Sequence, residues 1–188
     1  TTLRERIANR IRDAVLDGSL KPGERLVERS LAVQFGASPT AVREALIQLE
    51  AEGFVDKKPN FVTRVTRLSL ADVENIFAVR SVLEGYAVEE AARLVTPEQV
   101  RGLEEAYLEL VDAARSGDSR RFVERDSRWH EKMWTAASNE HLTEALRRLC
   151  LPLFAFSAIR LRAASPLDLL ADAHSHHPLL GAIRSGDP

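Results

Sequence analysis

Asp126 and His130 stand four residues apart in SRRFVERDSRWHEKMWTA, a segment that begins at Ser119. Residues four apart share one face of a helix, and here that face is otherwise apolar, with Phe122, Trp129, Met133 and Ala137 along it. A carboxylate and an imidazole carried into a core must find partners: a metal ion, each other, or a buried polar network. Leu169, Ala173, His176, Leu180 and Ile183 form a second inward stripe, again with a histidine in it, whereas His174 and His177 fall off that stripe. One carboxylate and two neutral imidazoles suit a borderline divalent cation, Zn or Ni above all. Pro178 is expected to break or kink the helix that carries His176, opening carbonyls near His174 and re-aiming the ring. Arg80 lies on a third inward stripe, Val73, Ile76, Phe77, Arg80, Leu83 and Ala87. A buried guanidinium wants a carboxylate, and Glu84, one turn on, is the nearest in sequence.

A different chemistry stands near the N-terminus, in GASPTAVREALIQLEAEGFV from Gly36 to Val55. Val42, Leu46 and Leu49 repeat at helical spacing, Ser38 is placed to cap the first turn, and Pro39 occupies the first helical position, where no N–H is needed. Gly53 ends the run. Glu28 to Phe35 forms a shorter helix with Leu31, Ala32 and Phe35 inward, and Gly36 supplies the turn, so the two helices make a helix-turn-helix. A recognition helix enters the major groove by its N-terminal residues, here Ser38, Thr40, Ala41 and Arg43. Arg43 can bond a guanine edge in two places, or it can pair with Glu44 or Glu50 on the surface.

Several further elements position these residues. Leu3, Ile7, Ile11, Ala14 and Val15 make a first helix ending near Gly18, to pack behind the reading head. Phe54 to Lys57 and Val62 to Val65 read as strands joined through Lys58, Pro59 and Asn60, which completes a winged helix-turn-helix. Helix starts are marked at Ser69, Thr96-Pro97, Ser119, Asn139 and Ser165-Pro166, so five or six helices form an all-α bundle after a linker at about Thr66 to Ser69. The fold class is mainly α, with a winged helix-turn-helix domain over residues 1–68 and an all-α helical-bundle domain over 69–188.

Charge divides with the domains. Residues 1–68 hold 12 Lys+Arg against 9 Asp+Glu, and residues 69–188 hold 14 against 19. A slightly basic head on an acidic body fits a polyanion-binding module joined to a domain with another task. Cys150 is the single cysteine, so no disulfide closes within the chain, and a buried thiol in a reducing cytoplasm is expected. The longest apolar run, about Leu149 to Ile159, is interrupted by Pro152 and Ser157 and falls short of the roughly 20 residues of a spanning helix, so no membrane partner is expected.

The run KPGERLVERSLAVQFGASPTAVREALIQLEAEGFV resembles the DNA-binding domain of GntR-family bacterial transcription regulators, and the C-terminal remainder of the chain resembles the sensor domain of the FadR subfamily. The resemblance implies that Arg29 and Arg43 contact double-stranded operator DNA, with Ser38 and Thr40 at bases or phosphates. Pro39 stands where the family commonly has an arginine, and Phe61-Val62 where the wing tip has Arg-Gly, which leaves Lys57, Lys58 and Arg64 for phosphate contact. Asp-x-x-x-His and the segment SHHPLLGAIRSGD resemble the metal-binding branch of the subfamily, which assigns Asp126, His130 and His176 as ligands. A last histidine ligand and a last helix are then expected beyond Pro188. Arg80 with the metal would hold a small-molecule carboxylate effector. One head covers only a half-site, so a homodimer is expected, working as a repressor through a population shift of the bundle. One rival keeps the DNA-binding head and drops the metal, as a metal-free regulator sensing another ligand; a metal-dependent hydrolase is the rival from a different class. His130-Glu131 begins like a zinc-protease motif, but Trp134 stands where the second histidine should be, and no nucleophile set or phosphate loop is present.

Overall fold

A computed structural model describes residues 2–58, 62–160 and 165–186. The expected turn residues Pro59 and Asn60 and the wing-tip Phe61 lie outside the described residues. The chain divides into two compact units, Thr1–Ala71 with Leu151–Ile159, and Asp72–Cys150 with Arg160–Pro188.

In the first unit, α1 (Leu3–Leu16) starts from a reciprocal cap: Thr2 accepts from Glu5 N, and Glu5 accepts from Thr2 N. It buries Ile7, Ala8, Ile11 and Val15, while Leu3, expected on the same stripe, is half exposed because it precedes the packed turns. Next come β1 (Arg25–Leu26), α2 (Glu28–Phe35), α3 (Pro39–Ala51), β2 (Val55–Lys58) and β3 (Val62–Val65). Leu31, Val42, Ala45, Leu46 and Leu49 join the α1 stripe, Val55 and Val65 in one core. The strands form an antiparallel sheet in the order β1-β3-β2, with Arg25 opposite Arg64 and Val55 opposite Val65. β1 was not legible, since two residues are too few to show an alternating pattern.

Two local choices aim α3. Gly36 takes the left-handed conformation, φ 58 and ψ 39, and lets α2 end while the chain turns sharply. Ser38 Oγ then accepts from Ala41 N at 3.2 Å, and Pro39 fills the first helical position.

The second unit is helical: α4 (Leu70–Leu94) from Asp72 on, α5 (Pro97–Ser116), α6 (Ser119–Ala136), α7 (Glu140–Arg160) without Leu151–Ile159, α8 (Pro166–His174) and α9 (His177–Ser185). The α5 start is a full capping box between Thr96 and Gln99, and Ser165 caps α8 in the same way. Asn139 Oδ1 accepts from Leu142 N at the start of α7. α6 starts at Ser119, as its start signal suggests, and is capped by Asp118, whose carboxylate accepts from Arg121 N. Central α5 packs against α6, α8 and α9. Phe122, Trp129 and Met133 of α6 are fully buried, with Leu103 and Leu110 of α5, Leu146 of α7, Leu169 of α8 and Ile183 of α9. Among the described residues no helix is long and apolar enough to cross a membrane.

An added Cβ at Gly36 meets no atom within 4 Å, so a side chain there carries only a backbone penalty. Gly36→Ala is expected to lower stability by about 1 kcal/mol, with Gly36→Asn milder because asparagine tolerates this region. Urea unfolding midpoints of the three proteins check the ranking.

Candidate functional site

Asp126 and His130 lie on consecutive turns of α6, and His176 stands at the junction between α8 and α9. The helix expected around His176 is broken there. Pro178 sits in the first turn of α9, where its missing N–H leaves no bond unmade, and His176 is the N-cap residue. The stripe survives the break, with Leu169, Ala173, His176, Leu180 and Ile183 all buried.

One ligand atom each from Asp126, His130 and His176 fall within 4.8 Å of one another. His176 Nε2 is 3.1 Å from His130 Nε2 and 2.8 Å from Asp126 Oδ1, and Asp126 Oδ1 is 3.7 Å from His130 Nε2. Borderline divalent cations with bonds of about 2.1 Å place neighbouring ligand atoms roughly 3 Å apart, which these spacings match. Asp126 Oδ1 is buried and accepts no hydrogen bond of acceptable geometry among the described residues. A buried carboxylate oxygen left in that state, facing two ring nitrogens, is what a cation site requires. Trp129 walls it, edge-on to both imidazoles.

The other ring nitrogens decide what the Nε2 atoms can do. His130 Nδ1 is 2.9 Å from Glu84 Oε1, and His176 Nδ1 is 3.1 Å from the Asp172 carbonyl. A carboxylate and a carbonyl only accept, so both Nδ1 atoms carry the proton, and in the neutral rings both Nε2 lone pairs point into the cluster. Glu84 accepts in addition from Trp134 Nε1 at 2.9 Å and from Arg80 Nε at 2.8 Å. Burial alone would raise the Glu84 carboxyl, but the hydrogen bond and charge of His130 and then Arg80 outweigh it and hold its pKa at about 2. Burial works against a charged His176 as well, yet the Asp126 carboxylate keeps its pKa above the ordinary histidine value. Asp126 is held down in return, its burial outweighed by His176, His130 and Arg80.

Arg80 is buried and pairs with Glu84, the partner its spacing suggests. Its Nη2 lies 2.7 Å from His130 Nε2 and 3.2 Å from Nδ1. Both distances are short only if the guanidinium nitrogen lies over the ring, since an in-plane approach to one lone pair would hold the other nitrogen far off. The in-plane lone pair of Nε2 is thus left to the cluster. Cys150, buried in the same unit, has its thiol pushed up to about 12 by burial. Sequence spacing missed the role of Glu84 toward His130 and that of the Asp172 carbonyl, because both are set by packing between turns of different helices.

In the first unit Arg29, Ser38, Thr40 and Arg43 are exposed and Ala41 is half-buried. Arg29 and Arg43 line a cleft of about 540 Å³ together with Arg25, Glu28 and Lys57, whereas Ser38, Thr40 and Ala41 are not part of that lining. Arg43 pairs with neither Glu44 nor Glu50. It binds Glu28 of α2 instead, Nη2 to Oε2 at 2.9 Å and Nε to Oε2 at 3.1 Å, because α2 crosses close to the second turn of α3. Arg64 donates to the Gly23 carbonyl at 3.0 Å, which ties β3 to the turn before β1.

A small winged head and a helical bundle have close counterparts. Residues 3–65 match the family described as bacterial regulatory proteins, gntR family, and residues 75–188 match the FCD domain. The chain belongs to the GntR family. It is 34% identical over 191 residues to the "Probable D-xylose utilization operon transcriptional repressor" of Paenarthrobacter nicotinovorans, covering 98% of this chain and 82% of that protein. It is 26% identical over 181 residues to the HTH-type transcriptional regulator McbR of Escherichia coli, over 96% of this chain and 82% of the other. The solved structure of E. coli McbR/YncC superposes with a TM-score of 0.76, at 26% identity, over 100% of this chain and 88% of that one. Families and relatives alike are transcriptional regulators and not enzymes, so this GntR protein is a DNA-binding transcription regulator with an FCD domain.

Glu84 and Arg80 are both mostly buried, so separating them leaves an uncompensated charge. Glu84→Gln is expected to lower stability by about 3 kcal/mol at pH 7. A carboxyl whose pKa is depressed on folding stabilises above its unfolded value of 4.5 and loses that contribution as pH falls toward 2. The gap between wild type and variant should therefore close on acidification below pH 4.5, as read from urea unfolding across that range.

Proposed function

We propose that this GntR regulator is a repressor whose affinity for operator DNA is set by a small carboxylate bound beside a divalent cation, Zn or Ni, in its FCD domain. The observation that carries the reading is the convergence of Asp126 Oδ1, His130 Nε2 and His176 Nε2, with both Nδ1 atoms occupied by acceptors. These three residues would hold the cation, which when bound supplies a fixed positive charge in a water-poor site. Arg80, over the His130 ring, would add a second positive group, and together they suit a carboxylate. Repression is supported by the name carried by the Paenarthrobacter relative.

Residues 1–68 would read DNA in the cytoplasm, with Arg29, Ser38, Thr40, Ala41 and Arg43 at the operator, and residues 69–188 would sense and dimerise. Val79, Val82 and Tyr86 recur along one side of α4 and are at least 46% exposed, an apolar surface suited to a homodimer. Two heads reach two half-sites of a near-palindrome. Cation and carboxylate then favour one arrangement of the bundle and alter the spacing of the heads, and a coupling of about 1–3 kcal/mol is enough to change occupancy 5- to 150-fold.

The test is metal content per chain on full-length, tag-free protein, beside Asp126→Ala and His130→Ala. About one equivalent that disappears in both variants is expected. Small carboxylates should then release wild-type protein from DNA and fail to release Arg80→Ala. Metal content indifferent to both alanine changes would overturn the site, and release from Arg80→Ala equal to wild type would overturn the role of the guanidinium.

A further inference from the structure

Among the described residues Glu28 is the one carboxylate lining the cleft that holds Arg25, Arg29, Arg43 and Lys57. A negative charge there opposes phosphate binding, so its presence needs a reason. Its geometry supplies one. Arg43 Nε and Nη2 both donate to Glu28 Oε2, at 3.1 and 2.9 Å, and Nε also reaches Oε1 at 3.3 Å. Glu28 thus takes the side edge of the guanidinium. The end edge, Nη1 with the outer N–H of Nη2, has no partner among the described residues, and it is the pair of parallel donors that fits guanine O6 and N7.

Glu28 itself is held. It stands in the first turn of α2, where the helix end favours a negative charge, and it is 30% exposed against 59% for Arg43. A long, exposed arginine on α3 would otherwise sample many rotamers and would lose that freedom on binding a base.

We infer that Glu28 is a positioning residue that orients Arg43 for guanine: it trades non-specific attraction to phosphate for discrimination at one base pair. The inference rests on Arg43 being a base-reading residue. It separates two properties that a simple loss of contact would move together. Removing Glu28 removes a repulsive charge, so binding to arbitrary duplex DNA stays equal or tightens, while the guanine preference falls.

The experiment uses the full chain. Duplexes selected from a randomised library by wild-type protein define the preferred site, and competition binding with duplexes changed at one position at a time gives the preference at each. Arg43→Ala should erase the guanine preference at one position per half-site. Glu28→Ala should lower the preference at that same position about threefold and leave the other positions unchanged, with Glu28→Gln intermediate. Circular dichroism confirms that the variants are folded. If Arg43→Ala erases a position and Glu28→Ala leaves that position intact, the positioning role is overturned while the reading of Arg43 stands. If Glu28→Ala weakens every position alike, Glu28 serves the fold of the head and the proposal fails. If Arg43→Ala erases no position, Arg43 reads no base and both readings fail.

Discussion

The helical unit depends on the carboxylate of Glu84 being ionised inside the protein. It accepts from the guanidinium of Arg80, the indole of Trp134 and the imidazole of His130 at once, and so satisfies three donors that would each carry a penalty if buried alone. Because a carboxylate cannot donate, it also dictates which nitrogen of His130 keeps the proton. One residue of α4 thereby settles the position, charge balance and tautomer of groups on α6. His176 is held from both sides, its Nδ1 donating to the Asp172 backbone carbonyl, which cannot titrate, and its Nε2 lying 2.8 Å from the Asp126 carboxylate.

The junction between α8 and α9 shows how the chain brings a third polar residue to that cluster. A continuous helix would have held His176 at a fixed angle to the stripe. The proline two residues on forbids the helical bond that would cross the junction, and the chain restarts with His176 at the N-cap. The Asp172 carbonyl, one turn earlier, accepts from the ring Nδ1, so the break is used to orient the imidazole. Trp129 packs edge-on against it at 4.7 Å and fills the space beside the ring.

Periodicity carried much of this. The helix-turn-helix, its Ser38 cap and its Gly36 turn were legible because each depends on a residue type with one dominant local preference. The stripes of α6 and α8–α9 were legible because core-facing spacing is a property of the helix itself. What periodicity could not give is the angle at which one helix presents its residues to another. Glu84 read as the partner of Arg80 four residues away, and its contact with His130, far along the chain, needs the packing of α4 on α6. Arg43 invited pairing with Glu44 or Glu50 for the same reason, and the tertiary crossing of α2 and α3 gave it Glu28 instead. β1 escaped because two residues carry no period.

The same device is used in both units. A carboxylate from a neighbouring helix takes one edge of a nitrogen-rich side chain and leaves another edge pointing at the place where a ligand would stand: Glu84 does this to His130, and Glu28 does it to Arg43. The surroundings set the strength of each. Glu84 is 14% exposed and works where charges are poorly screened, so its hold on His130 depends much less on salt. Glu28 is 30% exposed beside an arginine that is 59% exposed, where screening is strong and the pair contributes little to stability. Such a weak pair can still define a direction, because orienting a side chain requires only that one rotamer be favoured over the others by about RT. Rigidity in the buried cluster and bias at the exposed surface are therefore the same interaction at two levels of desolvation.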